Sequence, residues 1–256
     1  MESYEGHRRE SDFLNYTFDV SNVYPIQSEN ISDFIENISI LEDARSEIEI
    51  RNLFECWNYF SNLRKTLHCS ILTRGLIEQG HNIMMSTLIV NAGVFSNCDR
   101  QSSCPITGNK IIYPTPEFIC ERFDTLIDYT NQLSLHLENE IKKHGLTDSV
   151  MRRCVKFLAW FFISFIRLHP FSDGNGRLAH IILGYLQLLI LRTPTALFSK
   201  LKDSSLNRVD YLKAIAETHN QHILHACENH WCFSSKPYSL ATIILRRIPS
   251  GNMRKI

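Results

Sequence analysis

The sequence predicts an all-α protein carrying one short β-hairpin, on three observations. Apolar residues recur at helical spacing through most of the chain, and cap residues and prolines mark where successive stretches begin and stop. The one convincing β signal is a Gly-Asn pair between β-branched residues. With 256 residues, 44% of them hydrophobic, the chain suits one domain with extensions and has ample side chain for a core.

Residues 1–30 are polar with scattered aromatics and read as an N-terminal arm. A helix is expected over about 31–40, with Ser32 as N-cap and Phe34, Ile35 and Ile38 as its stripe. A second start at Ser39, with Glu42 placed as in a capping box, opens a pattern through Leu41, Ile48, Leu53, Trp57, Phe60 and Leu67, which Gly75 and Gly80 punctuate. One long helix, or two in line, is expected there. Residues 93–107 are loop-like, and the run from Ile106 to Tyr113 sets Gly108-Asn109 as a hairpin turn. Thr115, Pro116 and Glu117 then supply a cap, a first-turn proline and an acid, so a helix runs to about Lys143 and ends at Gly145. Thr147 or Asp148 opens the next, which buries residues such as Met151, Phe161 and Phe165 and delivers His169 at its end. Leu178 to Leu191 is apolar nearly all round, the mark of a central helix, and Pro194 stops it. A further helix is expected from Arg208 to about Ala226, the domain closes near 245, and residues 246–256 form a basic tail.

Lys plus Arg and Asp plus Glu number 27 each, so no global field draws in nucleic acid or an acidic membrane. Any polyanion must be bound locally. The eight cysteines form no Cys-x-x-Cys pair and read as reduced thiols. The run from Phe157 to Ile166 is too short to span a bilayer, and Met1 to Glu10 lacks a signal-type apolar stretch, so a cytoplasmic location is expected.

Chemistry concentrates between His169 and His180. Gly174, Asn175 and Gly176 precede a helix, where unpaired amides and the positive end of the macrodipole accept an anion and glycine allows close approach. Arg177 adds a forked clamp for phosphate, Asp173 a hard oxygen ligand suited to Mg²⁺, and His169 a group able to take a hydroxyl proton near neutral pH. Each has a blander reading, as a helix-end hydrogen bond, a cap or a solvated charge. Together they describe phosphoryl or nucleotidyl transfer to an alcohol.

The stretch His169-Pro-Phe-Ser-Asp173-Gly-Asn-Gly-Arg177 resembles the signature of the Fic domain family, His-Pro-Phe-x-Asp/Glu-Gly-Asn-Gly-Arg-x-x-Arg, and eight of its nine fixed positions match. Ala92-Gly93-Val94-Phe95, the hairpin and Pro114-x-Pro116 resemble the family's flap region. The resemblance implies a Fic-type helical core, residues 31–245, whose activity is transfer of AMP from ATP to a Ser, Thr or Tyr hydroxyl of a target protein. By position it implies His169 as general base, Asp173 as Mg²⁺ ligand, Gly174, Asn175 and Gly176 on the α-phosphate, and Arg177 on the β-phosphate. Tyr211 would lie near adenine, and the flap, about 104–114, would dock the target by strand pairing through Thr107, Gly108, Asn109, Lys110, Ile111 and Ile112. It also admits a homodimer.

The final Arg of the signature is His180 here. In the family that Arg meets the γ-phosphate and, in autoinhibited members, an inhibitory Glu. Ser32-Asp-Phe-Ile-Glu36-Asn37 matches the inhibitory pattern Ser/Thr-x-x-x-Glu-Gly/Asn, which makes Glu36 the candidate lock, with a weaker grip than an Arg would give. Two alternatives stay open: other transfer chemistry (phosphate, UMP, phosphocholine or removal of AMP), or a weakened binding module. A third feature, His219, His222, His225, Cys227, His230 and Cys232, offers zinc ligands at spacings that match no standard pattern.

Overall fold

The structure is a computed structural model that describes residues 30–67, 71–197, 208–224 and 237–248, with side chains through 63 in the first stretch and 218 in the third. The N-terminal arm, the side chains of the His219 to Cys232 cluster and most of the basic tail lie outside the described residues. In order come α1 (Ile31–Leu41), α2 (Glu47–Leu67), α3 (Arg74–Met85), β1 (Gln101–Ser103), β2 (Lys110–Ile112), α4 (Pro116–His144), α5 (Asp148–Leu168), α6 (Asn175–Ile190), α7 (Arg208–Leu224) and α8 (Tyr238–Arg247). The fold class is all-α with one antiparallel hairpin, as the periodicity predicts.

The centre is α5, in which every residue from Phe157 to Phe165 is fully buried. A helix apolar on all sides must be enclosed, and here α4, α6 and α8 pack against it while α2 covers α6. Thr115 caps α4 and Thr147 caps α5, each hydroxyl accepting a backbone N–H of the first turn, as expected. The start of α6 is Asn175, so the phosphate-type loop runs directly into the central helix. No helix among the described residues is long and apolar enough to cross a membrane. Cys56, Cys98, Cys104, Cys120 and Cys154 are free thiols, and burial pushes Cys154 up to about 12.

Several boundaries differ from expectation. The N-cap of α1 is Asn30, whose side chain accepts the Asp33 N–H at 2.9 Å, and Ser32 is exposed within the first turn. Ser39 is buried inside α1 and donates to the Glu36 carbonyl at 2.8 Å, so it starts nothing. The capping box belongs to α2: the Glu49 N–H donates to Ser46 Oγ at 3.2 Å and the Ser46 N–H to the Glu49 carboxylate at 3.1 Å. Between the helices the chain reverses at Asp43, φ 56°. Gly75 and Gly80 lie within α3, which Thr73 caps.

The expected two-residue hairpin turn is a longer connection, residues 104–109, closed by the Cys104 N–H on the Asn109 carbonyl and the Gly108 N–H on the Cys104 carbonyl, both at 2.8 Å. Gln101 pairs with Ile112, Ser102 with Ile111 and Ser103 with Lys110. The polar strand Gln-Ser-Ser carries no β signal of its own. The sequence also misses α8, which has no side-chain cap, although Arg247, placed in the tail, is buried there and donates to the Ala196 carbonyl at 2.8 Å.

Candidate active site

The loop between α5 and α6 is held by groups on both sides of it. His169 ends α5 in the left-handed region, φ 51° and ψ 56°, with its N–H on the Phe165 carbonyl at 2.9 Å. The Asn175 side chain folds back over the turn, donating to the Phe171 carbonyl at 2.7 Å and accepting the Phe171 N–H at 2.9 Å. It is buried and serves the loop's own backbone, not an open phosphate site.

A residue that sequence reasoning passed over completes the support. His81 of α3 is fully buried, its Nδ1 accepts the Gly93 N–H at 2.8 Å, and Nε2–H donates to the Asp173 carbonyl at 3.0 Å. Its ring stacks on Phe171 with centroids 3.8 Å apart. Burial pushes its pKa down to about 4, so the ring is neutral at physiological pH and keeps this donor–acceptor pair.

The His169 imidazole has Nδ1 3.1 Å from the Ile166 carbonyl. A carbonyl only accepts, so Nδ1 carries the proton and Nε2 the lone pair. One face of the ring lies on Tyr113, centroids 3.8 Å apart and planes 14° from parallel.

At the head of α6 the two glycines answer to different constraints. Gly174 has φ 72°, and a Cβ there would sit 2.8 Å from Met85 Sδ. A Cβ on Gly176 would collide with the carboxylate of Glu42. An anion therefore already lies over the N-terminus of α6, where amides and helix dipole favour negative charge. The Glu42 carboxylate accepts the Tyr211 hydroxyl at 3.1 Å and lies 3.3 Å from His180 Nδ1. That nitrogen is also 2.9 Å from the Gly176 carbonyl, which takes its proton. Burial pushes the His180 pKa down against the pull of Glu42, so the ring that faces the carboxylate is neutral. Phe162 meets the His180 ring edge-on at 4.8 Å, and burial together with Glu42 pushes the Tyr211 hydroxyl well up. Arg208 Nε donates to the Leu41 carbonyl at 3.2 Å, tying the end of α1 to α7.

Glu36, the carboxylate expected in this place, is exposed on α1 six residues earlier. At 3.6 residues per turn the two positions are about 240° apart around the helix, so they cannot share a face. Asn37 is buried within α1, and Ser32 is a turn further from the loop. The group that meets His180 is Glu42, at the C-cap of α1.

Asp173 is the exposed member of the set, its side chain 61% accessible. Its Oδ1 accepts the Gly174 N–H at 2.6 Å and its Oδ2 faces Arg177 Nη2 at 3.3 Å. Arg177 is nearly buried, and its Nη1 donates to Glu49 at 2.9 Å. Burial works to raise the Glu49 carboxyl, but the Ser46 hydrogen bonds and the Arg177 charge outweigh it and hold it below its ordinary value. Among the described residues no three His, Cys, Asp or Glu side chains form a metal cage. A lone exposed carboxylate beside an anion-holding helix terminus still fits Mg²⁺, which takes one or two carboxylates and completes its shell with phosphates and water. Of the expected flap residues, Thr107, Gly108 and Asn109 lie in the connection and Lys110, Ile111 and Ile112 form β2, with Ile112 70% exposed.

A fully enclosed α5, the tight loop after it, α6 and a hairpin laid beside the loop define a Fic-type helical core. Residues 71–187 match the model of the Fic/DOC family. The fold is similar to that of a Fic-domain signaling protein from Bacteroides thetaiotaomicron (TM-score 0.62, 15% identity, 87% of this chain and 84% of that one). It is also similar to Fic-1 from C. elegans (TM-score 0.56, 14% identity, 97% and 68%). IbpA Fic2, solved in complex with adenylylated Cdc42, is a further similar structure (TM-score 0.49, 15% identity, 98% and 71%). In sequence, 224 residues are 26% identical to the ribonucleoside-diphosphate reductase small chain of Ostreid herpesvirus 1, over 83% of this chain and 35% of that protein. The chain thus spans about a third of the length of that relative.

Proposed function

We propose that the protein transfers AMP from ATP, with Mg²⁺, to a Ser, Thr or Tyr hydroxyl of a target protein, and that Glu42 restrains it. One observation carries this reading. A single braced loop joins an imidazole with its lone pair on Nε2 to a helix N-terminus that already holds an anion.

In this reading the target hydroxyl gives its proton to His169 Nε2 as its oxygen bonds to the α-phosphorus. The bond from that phosphorus to the β-bridging oxygen breaks, pyrophosphate leaves, and the imidazole returns its proton to solvent. The amides at Gly174 to Gly176 and the dipole of α6 stabilise the charge that builds on the α-phosphoryl oxygens. Asn175 acts through the Phe171 backbone, holding the loop that presents those amides. Asp173 is the carboxylate to hold Mg²⁺, which when bound neutralises charge between adjacent phosphates. Arg177, turned from Glu49 toward the nucleotide, supplies a fork for the β-phosphate. Neutral His180, its Nδ1 proton engaged on the Gly176 carbonyl, offers the γ-phosphate less than an Arg would.

Glu42 competes with the nucleotide for the head of α6, and its removal should open the site. The role read from the sequence for Glu36 passes to Glu42 on position. The outer edge of β2 suits strand pairing with an extended target segment. The test is incubation of wild type, Glu42→Gly and Glu42→Gly/His169→Ala with ATP labelled at the α- or the γ-position. Protein-bound α-label that requires His169 supports the reading. Retention of γ-label alone makes the protein a kinase, and absence of His169-dependent label leaves a binding module.

A further inference from the structure

The hairpin does more than offer an edge. Arg100, just before β1, turns its guanidinium onto the active-site loop, one Nη donating to the His169 carbonyl and the other to the Phe171 carbonyl. Those carbonyls flank Pro170, so one planar fork ties both ends of the turn that sets His169. A lysine ammonium could not reproduce that geometry. Tyr113, just after β2, lays its ring on the His169 imidazole.

The two residues form one unit. The Tyr113 N–H donates to the Arg100 carbonyl at 3.1 Å, the Arg100 guanidinium carbon is 5.7 Å from the Tyr113 ring centroid, and the Tyr113 hydroxyl is 2.8 Å from Ser102 Oγ on β1. The chain before the hairpin extends the attachment, with the Ser96 N–H on the Pro170 carbonyl at 2.9 Å and Phe95 bridged to Phe171. An imidazole on a single bond has a broad torsion. Here one face is blocked by Tyr113 and Nδ1 is anchored on Ile166, so Nε2 has one direction left.

We infer that Arg100 and Tyr113 are positioning residues for His169, mounted on the hairpin so that pairing a target strand with β2 and aligning the base are one event. The inference rests on the reading of His169 as the base. A misplacement of about 1 Å at a reacting group costs on the order of 100-fold in rate. In the Glu42→Gly background, Tyr113→Ala and Arg100→Lys are expected to slow self-labelling from α-labelled ATP about 10- to 100-fold at saturating nucleotide. The half-saturating ATP concentration should hold within about twofold, and Tyr113→Phe, which keeps the ring face, should recover most of the rate.

A second readout needs no activity. Imidazole ¹⁵N resonances of His169 should report one Nδ1–H tautomer in the parent and in Tyr113→Phe, and exchange between two tautomers in Tyr113→Ala and Arg100→Lys. The inference is overturned if Tyr113→Ala and Arg100→Lys leave rate and tautomer unchanged, if their defect lies only in the ATP concentration dependence, or if Tyr113→Phe is as slow as Tyr113→Ala. Should the Glu42→Gly parent carry no label, the transferase reading has failed and the resonances alone decide: an unchanged single tautomer in both disruptive variants refutes positioning, and exchange upholds it.

Discussion

Removing Glu42 should tighten ATP binding by about two orders of magnitude, and the figure follows from its contacts. The carboxylate accepts the Tyr211 hydroxyl at 3.1 Å and lies over the N-terminus of α6, 3.3 Å from His180 Nδ1. The hydrogen bond to the charged carboxylate contributes roughly 1.5–3 kcal/mol, and the favourable field at the N-terminus of α6 adds about 0.3–1 kcal/mol. Their sum is about 3 kcal/mol, which is about 100-fold in an equilibrium constant. Calorimetric titration of ATP with Mg²⁺ into wild type, Glu42→Gly, Glu42→Gln and Glu36→Gln tests it. Glu42→Gly is expected to bind about 100-fold more tightly and Glu42→Gln about tenfold, since the amide keeps the shape and loses the charge. Glu36→Gln should lie within about twofold of wild type, because its position is exposed and faces away from His180. An affinity for Glu42→Gly within threefold of wild type, or a Glu36→Gln effect of equal size, would refute the reasoning.

Three further outcomes follow from the same contacts. His180→Arg places a charged fork opposite Glu42, so ATP affinity should fall about tenfold with Glu42 present and rise in the Glu42→Gly background, where the fork meets phosphate; the same titration reads both. Gly184→Ala sets a Cβ against the Phe34 ring, where α1 rests on α6. It should cost about 1–3 kcal/mol in denaturant unfolding and, by loosening α1, increase self-labelling in a protein that keeps Glu42. His81 titrates near 4 when folded against 6.5 when exposed, so between those values the unfolded chain binds the extra proton. Its stabilisation is complete above pH 6.5 and is lost as pH falls toward 4, by about 3 kcal/mol in all. Urea unfolding at stepped pH should show that slope, reduced in His81→Asn.

The parts legible in the sequence are those whose signal is local. The apolar runs of α4, α5 and α6 name their own period, and the loop from His169 to Arg177 is one continuous motif. Glu42 reads as a capping-box residue because Ser-x-x-Glu occurs twice in quick succession, at Ser39/Glu42 and Ser46/Glu49. Only packing decides that the second opens a helix while the first closes one and sends its carboxylate to α6. Ser32, Glu36 and Asn37 match a loosely specified pattern on α1, while the carboxylate that lies beside His180 is Glu42. Arg100 and His81 bind backbone carbonyls 69 and 92 positions away, and Glu49 meets Arg177 across 128. A carbonyl belongs to every residue, so such contacts leave no trace in residue type or spacing. His81 reads from the sequence as one polar residue on a helix face, and its stack on Phe171 appears only in the fold.

The most direct single measurement is the intact mass of Glu42→Gly and of Glu42→Gly/His169→Ala after incubation with ATP and Mg²⁺. The expected result is a gain of one or more AMP units, each less a water, in the first and none in the second. An unchanged mass in both, or a gain of phosphate alone, would contradict AMP transfer by His169 under the restraint of Glu42.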